Sequence, residues 1–169
     1  IDKQKEMTSV IYSSILNHNN LEMVLSYCLG QKLSTTDMSG AVLNEIILNA
    51  YVSENKLVDH AFLDIIAVKD RDPACRRYLQ PLLYYKGFLA LQAYRVGSYL
   101  RANGHFDLSY FLQMRSSEVF GVDIHPNSMI GKSIMIDHAH SIVIGETAII
   151  GNNVSMLHSV TLGGTGKEK

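Results

Sequence analysis

The stretch VDIHPNSMIGKSIMIDHAHSIVIGETAIIGNNVSMLHSVTLGG, residues 122–164, carries a large aliphatic residue at nearly every sixth position. The repeated positions are Ile124, Ile130, Ile136, Ile144, Ile150, Met156 and Leu162. Neither a helix nor an ordinary strand has this period. Six residues do form one short strand and a turn in a solenoid whose coils have three sides. The pattern therefore predicts a left-handed parallel β-helix with these residues stacked inside it.

The repeat slips once, between Ile136 and Ile144, where eight residues separate two ladder positions that should be six apart. Two extra residues must therefore leave the coil within residues 137–143, which read DHAHSIV. A solenoid that breaks its period accommodates either an insertion or a chemical site, and charged side chains on bulged backbone favour a site. We expect a functional bulge here.

Before residue 121 the apolar residues recur with the period of a helix. The clearest runs are Leu21, Val24, Leu25 and Cys28; Leu43, Ile46, Ile47 and Ala50; and Leu89, Ala93, Val96 and Leu100. We expect six or seven short helices, with the second run capped by the polar residues 34–37. Pro126 blocks a helix from continuing past Gly121. The predicted fold class is α+β, with a helical domain over residues 1–120 and a β-helix domain over residues 121–169.

Composition narrows the class of protein. The chain has 169 residues, of which 47% are hydrophobic, and a net charge of −1. It can bury a core, and it has no charge excess that predicts a nucleic-acid or membrane partner. No apolar run reaches the roughly 18 residues of a membrane span, and the first residues do not resemble a signal peptide, so we expect a soluble cytoplasmic protein. Cys28 and Cys75 fit neither a disulfide framework nor a zinc site, which predicts reduced thiols.

The length of the β-helix raises a question of stability. Since one coil needs about 18 residues, the part of the chain after Asp123 makes about two and a half coils. Solenoids usually need three or more stacked repeats and a capped end. We therefore expect the sequence to be part of something longer.

Asp123 and His138 are the first candidates for chemistry. Asp123 opens the predicted β-helix and His138 lies in the bulge almost one coil later, so a carboxylate and an imidazole are expected to meet at the coil edge. A carboxylate that orients a neutral imidazole makes it a competent general base. The alternative is a turn aspartate and an exposed loop histidine.

His158 follows Met156 in the repeat as His138 follows Ile136. The two imidazoles are therefore expected about one coil apart. Because no third ligand has a convincing spacing, a structural or surface role is favoured for His158, and no metal site is assigned.

Two further segments have two interpretations each. One is a glycine-rich strand end that either lets a ligand approach bare backbone or forms a solenoid corner with positive φ. Its residues are Gly163, Gly164, Thr165 and Gly166. The other is Asp72, which either binds a substrate ammonium group or caps a helix that starts near Pro73.

Five strings of residues, spread over both halves of the chain, carry a resemblance to a known family. The strings are Lys69-Asp70-Arg71-Asp72-Pro73-Ala74, Leu82-Leu83-Tyr84 with Lys86-Gly87-Phe88, Leu91-Gln92-Ala93-Tyr94-Arg95, Val122-Asp123-Ile124-His125-Pro126 and Val160-Thr161-Leu162-Gly163-Gly164-Thr165-Gly166-Lys167. They closely resemble the serine acetyltransferase family, and the resemblance runs essentially from end to end. Hexapeptide coils alone occur in many acyltransferases, but the helical half and the Asp-Arg-Asp-Pro and Val-Asp-Ile-His-Pro strings are specific to this family.

The resemblance implies an acyltransferase that moves acetyl from acetyl-CoA to the hydroxyl of L-serine, the entry step to cysteine synthesis, with feedback inhibition by L-cysteine. It implies that His138 is the general base, that Asp123 is its dyad partner, and that Asp72 and Asp137 contact the amino acid. The residues that it places on the acetyl-CoA side are Gly163, Gly164, Thr165 and Gly166. Acetyl-CoA is a co-substrate, and no permanently bound cofactor is expected. The implied assembly is a trimer or a dimer of trimers.

The chain departs from the family at its C-terminal side. Family members continue through further coils, a loop with an Arg-His pair for the serine carboxylate, and a tail that docks into O-acetylserine sulfhydrylase. Two alternatives to a serine acetyltransferase stay open. One is a non-catalytic assembly subunit, which would not need Asp123 and His138. The other is a hexapeptide acyltransferase with another acceptor, against which Asp72-Pro73 in the helical half argues.

Overall fold

A computed structural model of the chain describes residues 5–164. Seven α-helices come first and seven short strands follow. The helices are α1 (Thr8–Ile11), α2 (Leu21–Leu33), α3 (Gly40–Ser53), α4 (Asn55–Arg71), α5 (Leu79–Tyr84), α6 (Lys86–Ala102) and α7 (Phe106–Phe120), with a 3-10 turn (Lys5–Met7) and a π turn (Tyr12–Leu16) on either side of α1. The expectation of six or seven helices is confirmed. Within residues 5–164, no helix combines the length and the hydropathy that crossing a bilayer requires.

The start of α3 differs from the sequence prediction. Its N-cap is Ser39, whose hydroxyl accepts a hydrogen bond from the backbone N–H of Val42 at 3.3 Å. The predicted cap within residues 34–37 is wrong, because the Thr35 hydroxyl binds backbone amides of the turn that precedes the helix. It accepts from the amides of Asp37 and Met38 and closes a turn before the helix begins.

Helix α6 is the centre of the molecule. Twelve of its seventeen residues are buried, as is typical of a helix that is covered on all sides. It packs against α3, α4, α5 and α7 and also against the strands β1 (Val122–Ile124) and β3 (Met135–Ile136). Helix α6 therefore joins the helical layer to the β-helix.

Both cysteines are buried free thiols. Cys28 packs in the helical core, as its place in an apolar run predicts. Burial raises the pKa of Cys28 to about 11. This thiol therefore stays protonated at neutral pH and acts as a small apolar group.

The strands form a left-handed parallel β-helix with three sides. The remaining strands are β2 (Met129–Ile130), β4 (Ile142–Ile144), β5 (Ile149–Ile150), β6 (Ser155–Met156) and β7 (Thr161–Leu162). They stack as three parallel sheets, in the orders β1-β4-β7, β2-β5 and β3-β6. The predicted inner ladder is confirmed. Its fully buried members are Ile124, Ile136, Ile144, Ile150 and Met156, and its partly buried members are Ile130 and Leu162.

The predicted bulge is confirmed by the strand register. Ile124 pairs with Ile144, twenty residues on, whereas Ile144 pairs with Leu162, eighteen residues on. The first coil therefore holds two extra residues, and they lie between the end of β3 and the start of β4. Three residues of this corner, His138, Ala139 and Ser141, have left-handed backbone with φ of 59°, 47° and 55°. Such conformations are uncommon outside glycine, but in this β-helix they also occur at other corners, at Ser133, Asn153 and Ser159.

A buried ion pair ties the helices to the first coil. The Arg95 guanidinium lies 2.8 Å from the carboxylate of Asp64, and both side chains are almost fully buried. Arg95 also donates to the carbonyl of Gly131 at 2.8 Å, and Asp64 accepts from the backbone N–H of Ile134 at 2.9 Å. Arg71 adds a hydrogen bond to the carbonyl of Ser133 at 3.1 Å. The backbone that leads into β3 is therefore fixed by side chains of α4 and α6.

Candidate active site

A cavity of about 620 Å³ opens where the helices meet the bulged corner of the β-helix. One wall comes from the loop between α4 and α5, a second from the start of α6, and the third from the end of β3 and the corner after it. The polar side chains around it belong to Asp72, Tyr84, Tyr85, Lys86, Asp137 and His138. Three of the predicted site residues, Asp72, Asp137 and His138, therefore line one cavity although up to 66 positions separate them in the sequence.

Asp137 and His138 are held by the fold of the corner. The backbone N–H of Asp137 donates to the carbonyl of Met156 in the coil above at 2.8 Å. The Asp137 carboxylate accepts the backbone N–H of His138 at 2.8 Å, and its other oxygen lies 3.5 Å from His138 Nε2. The imidazole is 70% exposed. An exposed imidazole beside a carboxylate can take a proton from a ligand in the cavity.

Gly87 allows α6 to approach this corner. A Cβ atom at Gly87 would collide with the carbonyl oxygen of Ile136 and would lie 2.9 Å from the Cβ of Ala139. Any larger residue would push the helix away from the backbone on both sides of Asp137 and His138. The glycine is thus required by close packing, which a single sequence does not reveal.

Asp72 ends α4 and does not begin another helix. Its φ and ψ of −91° and 109° are extended, as expected for a residue before proline. The proposed alternative of a helix cap near Pro73 is wrong, because the next helix starts only at Leu79. One carboxylate oxygen of Asp72 accepts the backbone N–H of Ala74 at 2.8 Å, and the side chain lines the cavity.

Asp123 lies apart from His138 in this chain. No oxygen of the Asp123 carboxylate lies within 4.0 Å of a His138 nitrogen, whereas an oxygen of Asp137 lies 3.5 Å from His138 Nε2. Because Val122 and Ile124 point into the coil, Asp123 points out of it. Its Oδ1 accepts the side-chain amide of Gln113 on α7 at 2.7 Å. The structure therefore does not bring the two side chains into the contact that the sequence predicts.

His158 lies one coil above His138, as its place in the repeat predicts. Ile136 pairs with Met156, and each histidine follows two positions later. The two rings are 6.1 Å apart between centroids and meet edge to face at 68°. The backbone N–H of Ser159 donates to the carbonyl of His140 at 2.7 Å and keeps the two corners stacked.

The glycine-rich segment is described only in part. Gly163 stacks on Gly145 of the coil below, with 3.8 Å between its would-be Cβ and the Gly145 Cα, and Gly164 has open space around it. Neither residue lines the cavity. Thr165 and Gly166 lie outside the described residues.

Sequence patterns assign no site role to three polar residues that line the cavity. Tyr84 ends α5, and Tyr85 and Lys86 stand at the start of α6. Tyr84 and Lys86 belong to a string that resembles the family, whereas Tyr85 belongs to none. Tyr85 and Lys86 reach the cavity because α6 approaches the corner after β3.

Comparison with known proteins assigns the chain to a family. The family description "Serine acetyltransferase, N-terminal" matches residues 1–93. The chain is 49% identical over 166 residues to the serine acetyltransferase of Escherichia coli strain K12, a match that covers 98% of this chain and 61% of that protein. The chain therefore spans about three fifths of the length of the curated relatives that it matches first.

Solved structures of serine acetyltransferases have the same fold as this chain. Soybean serine acetyltransferase in complex with serine superimposes with a TM-score of 0.96 at 48% identity, over 99% of this chain and 69% of that one. A serine acetyltransferase in complex with CoA gives a TM-score of 0.95 at 47% identity, over 98% and 70% of the two chains. With the helical half, the β-helix and the corner all matched, the chain belongs to the serine acetyltransferase family.

Proposed function

We propose that this chain forms the part of a serine O-acetyltransferase that binds the amino-acid substrate. The reaction transfers acetyl from acetyl-CoA to the hydroxyl of L-serine and yields O-acetyl-L-serine and CoA. The observation that carries the proposal is the convergence of Asp72, Asp137 and His138 on one cavity of about 620 Å³. Two carboxylates suit the ammonium group of an amino acid, and the imidazole beside them suits its hydroxyl.

The proposed chemistry begins with His138. A serine hydroxyl is a weak nucleophile until a base removes its proton, so the imidazole accepts that proton as the oxygen attacks the thioester carbonyl carbon. The carbon–sulfur bond then breaks, and the CoA thiolate takes the proton back from the imidazolium. Removing such a base typically lowers the rate by about 10² to 10⁴-fold.

We propose Asp123 as the carboxylate that orients His138 during the reaction. A dyad partner fixes the tautomer of the base and stabilises the imidazolium that forms. In the free chain Asp123 is held by Gln113, and Asp137 is the nearer carboxylate, at 3.5 Å from Nε2. Asp137 is the competing candidate for the same role. Asp72 and Asp137 are proposed to hold the amino-acid ammonium group.

We propose that acetyl-CoA is the co-substrate and that it binds beside the glycine-rich segment. Among residues 5–164, no atom outside its chain neighbours lies within 4 Å of the position that a Cβ of Gly164 would take. L-Cysteine is proposed as an inhibitor, because it differs from L-serine only in a thiol in place of the hydroxyl and fits the same contacts.

We also propose a cytoplasmic homo-oligomer, a trimer or a dimer of trimers. Its support is an apolar ladder on the outside of the β-helix. Met129 and Ile149 pair in neighbouring coils and are 58% and 73% exposed, which is unusual for stacked aliphatic residues of a monomer. O-Acetylserine sulfhydrylase is proposed as a protein partner from the family resemblance alone.

The experiment is the release of free thiol from acetyl-CoA with and without L-serine, with mass spectrometry of the product. The proposal predicts serine-dependent release and formation of O-acetyl-L-serine. Equal rates with and without L-serine from a folded chain would contradict it. Faster release with a different hydroxy or amino acceptor would favour a related acyltransferase instead.

A further inference from the structure

Helix α7 and strand β1 lie against each other because the chain turns sharply between them. Gly121 follows the last residue of α7 and has left-handed backbone with φ of 69°. Its N–H donates to the carbonyl of Ser117 at 3.0 Å and closes the end of the helix. Glycine adopts this conformation without steric cost. Strand β1 therefore begins beside α7 and packs against it.

Two side-chain hydrogen bonds join α7 to β1, and they hold different parts of the strand. The Ser116 hydroxyl donates to the backbone carbonyl of Val122 at 3.1 Å. The Gln113 side-chain amide donates from Nε2 to Oδ1 of Asp123 at 2.7 Å. Asp123 also stands in register with Val143 of β4. The backbone of Asp123 is thus fixed by the sheet and by Ser116, whereas Gln113 acts on the carboxylate.

The Gln113 amide is a neutral partner for this carboxylate. An ionised carboxylate only accepts hydrogen bonds, so the amide must present its nitrogen and not its oxygen. A distance of 2.7 Å is at the short end for such a bond, as is typical of a charged acceptor. Within residues 5–164, no nitrogen of a lysine, arginine or histidine lies within 4.0 Å of the Asp123 carboxylate. Gln113 therefore restricts the rotation of the carboxylate without cancelling its charge.

These two properties are what a carboxylate needs in order to serve a histidine base. It must have a fixed plane to orient the imidazole, and it must keep its negative charge to stabilise the imidazolium that forms. A cationic partner would weaken the second effect, and a carboxylate without a partner would lose the first. A side-chain amide satisfies both requirements.

We propose that Gln113 is a positioning residue of the acetyl transfer, whose side-chain amide holds the Asp123 carboxylate in the orientation in which it serves the base. This inference rests on the proposed function, which gives Asp123 its part in orienting the base. Gln113 does not line the cavity that Asp72, Asp137 and His138 share, so it acts only through Asp123.

The first test compares Gln113→Met with Ser116→Ala. Both variants lose one side-chain hydrogen bond between α7 and β1, but only Gln113 reaches Asp123. Methionine keeps the length of glutamine and cannot donate. Gln113→Met should lower kcat roughly tenfold with little change in the KM for L-serine, as expected for the loss of one hydrogen bond to a charged group. Ser116→Ala should keep the wild-type kcat, and a Gln113→Met variant that also keeps it would overturn the inference.

The pH dependence of kcat/KM separates positioning from a merely structural role. A carboxylate beside a base favours the protonated form of the base, so it moves the acid limb of the profile to higher pH. The limb should therefore lie at lower pH in Gln113→Met and in Asp123→Asn than in the wild type. In Ser116→Ala it should stay in place. A loss of activity in Gln113→Met without this shift would overturn the inference.

A double-mutant cycle with Asp123→Asn tests whether Gln113 acts through the carboxylate. If it does, Gln113→Met adds little to the effect of Asp123→Asn. Independent, multiplying effects would contradict the inference, and so would an Asp123→Asn variant with the wild-type kcat. A wild type that does not acetylate L-serine would instead refute the proposed function.

The contact itself is tested without any substrate. In ¹⁵N-labelled protein, the side-chain amide signals of Gln113 are assigned by their loss in Gln113→Met. Asp123→Ala should move these signals and speed the exchange of their hydrogens with solvent, because it removes the acceptor of the hydrogen bond. Gln113 signals that stay unchanged in Asp123→Ala would overturn the inference whatever the kinetic data show.

Discussion

Asp64 and Arg95 form a buried ion pair at 2.8 Å, and each of them also hydrogen-bonds the backbone of the first coil. The pair therefore stabilises two things at once, the packing of α4 on α6 and the attachment of both helices to the strand that ends at the candidate base. Its loss should affect the whole fold.

Asp64→Ala should lower the free energy of unfolding by about 3–5 kcal/mol, because it leaves the Arg95 charge buried without a partner. Urea unfolding followed by circular dichroism measures this. Asp59→Ala is the control, since Asp59 is an exposed residue of the same helix and should change stability by less than about 0.5 kcal/mol. Equal stabilities of the two variants would show that the ion pair contributes nothing.

Gly87→Ala should destabilise the chain by about 1–3 kcal/mol, because the added methyl group meets the Ile136 carbonyl and the Ala139 side chain. It should also weaken L-serine binding, since the corner with His138 must shift. The matched variant is Gly151→Ala, where no atom of residues 5–164 lies within 4 Å of the new Cβ and φ is not positive. A Gly87→Ala variant as stable as Gly151→Ala would contradict the close packing of α6.

His60 should make stability depend on pH. Burial and then the Arg95 guanidinium lower the pKa of His60 from its ordinary 6.5, with Lys132 acting in the same direction and Asp64 and Asp59 opposing. The unfolded chain therefore binds more protons than the folded one below about pH 6.5, so the stability falls as the pH falls through that value.

The measurement is the difference in melting temperature between about pH 7.5 and pH 5.5. His60→Gln should show a smaller fall than the wild type, because the neutral amide keeps a partner for Arg95 and does not titrate. His105→Gln, at an exposed position, should keep the wild-type difference. If His60→Gln and the wild type lose the same amount, protonation of His60 does not affect folding.

A comparison of two variants identifies the carboxylate that orients the base. The proposed dyad predicts that Asp123→Asn lowers kcat on the order of 10²-fold, because the base loses the group that orients it. Asp137→Asn should mainly raise the KM for L-serine. The reverse result, with kcat lost in Asp137→Asn and kept in Asp123→Asn, would make Asp137 the partner, in line with its 3.5 Å approach to Nε2.

The features that could be predicted from the sequence are those with a local cause. The six-residue period marks the inner ladder because each side of a coil repeats the same environment, and the slip between Ile136 and Ile144 locates the extra residues of the bulge. The place of His158 above His138 follows from the same register. The resemblance to serine acetyltransferases supplied the expected role of Asp72 and Asp137 as contacts of the amino acid, which no period indicates.

The features that could not be predicted arise from tertiary contacts. Gly87 meets Ile136 only because α6 packs on the corner, and Tyr85 lines the cavity together with Asp72 because of the same packing. The partner of Asp123 is Gln113, an unmarked residue of α7. At the start of α3, several polar residues competed for the cap, and local turn geometry selected Ser39.

The most direct test of the proposed function is the rate of serine-dependent thiol release from acetyl-CoA by His138→Asn beside His140→Asn. Both histidines lie in the same exposed corner, but only His138 lines the cavity. If His138 is the base, His138→Asn should be slower by about 10² to 10⁴-fold while His140→Asn keeps the wild-type rate. A folded His138→Asn variant with the wild-type rate would contradict the assignment of His138 as the base.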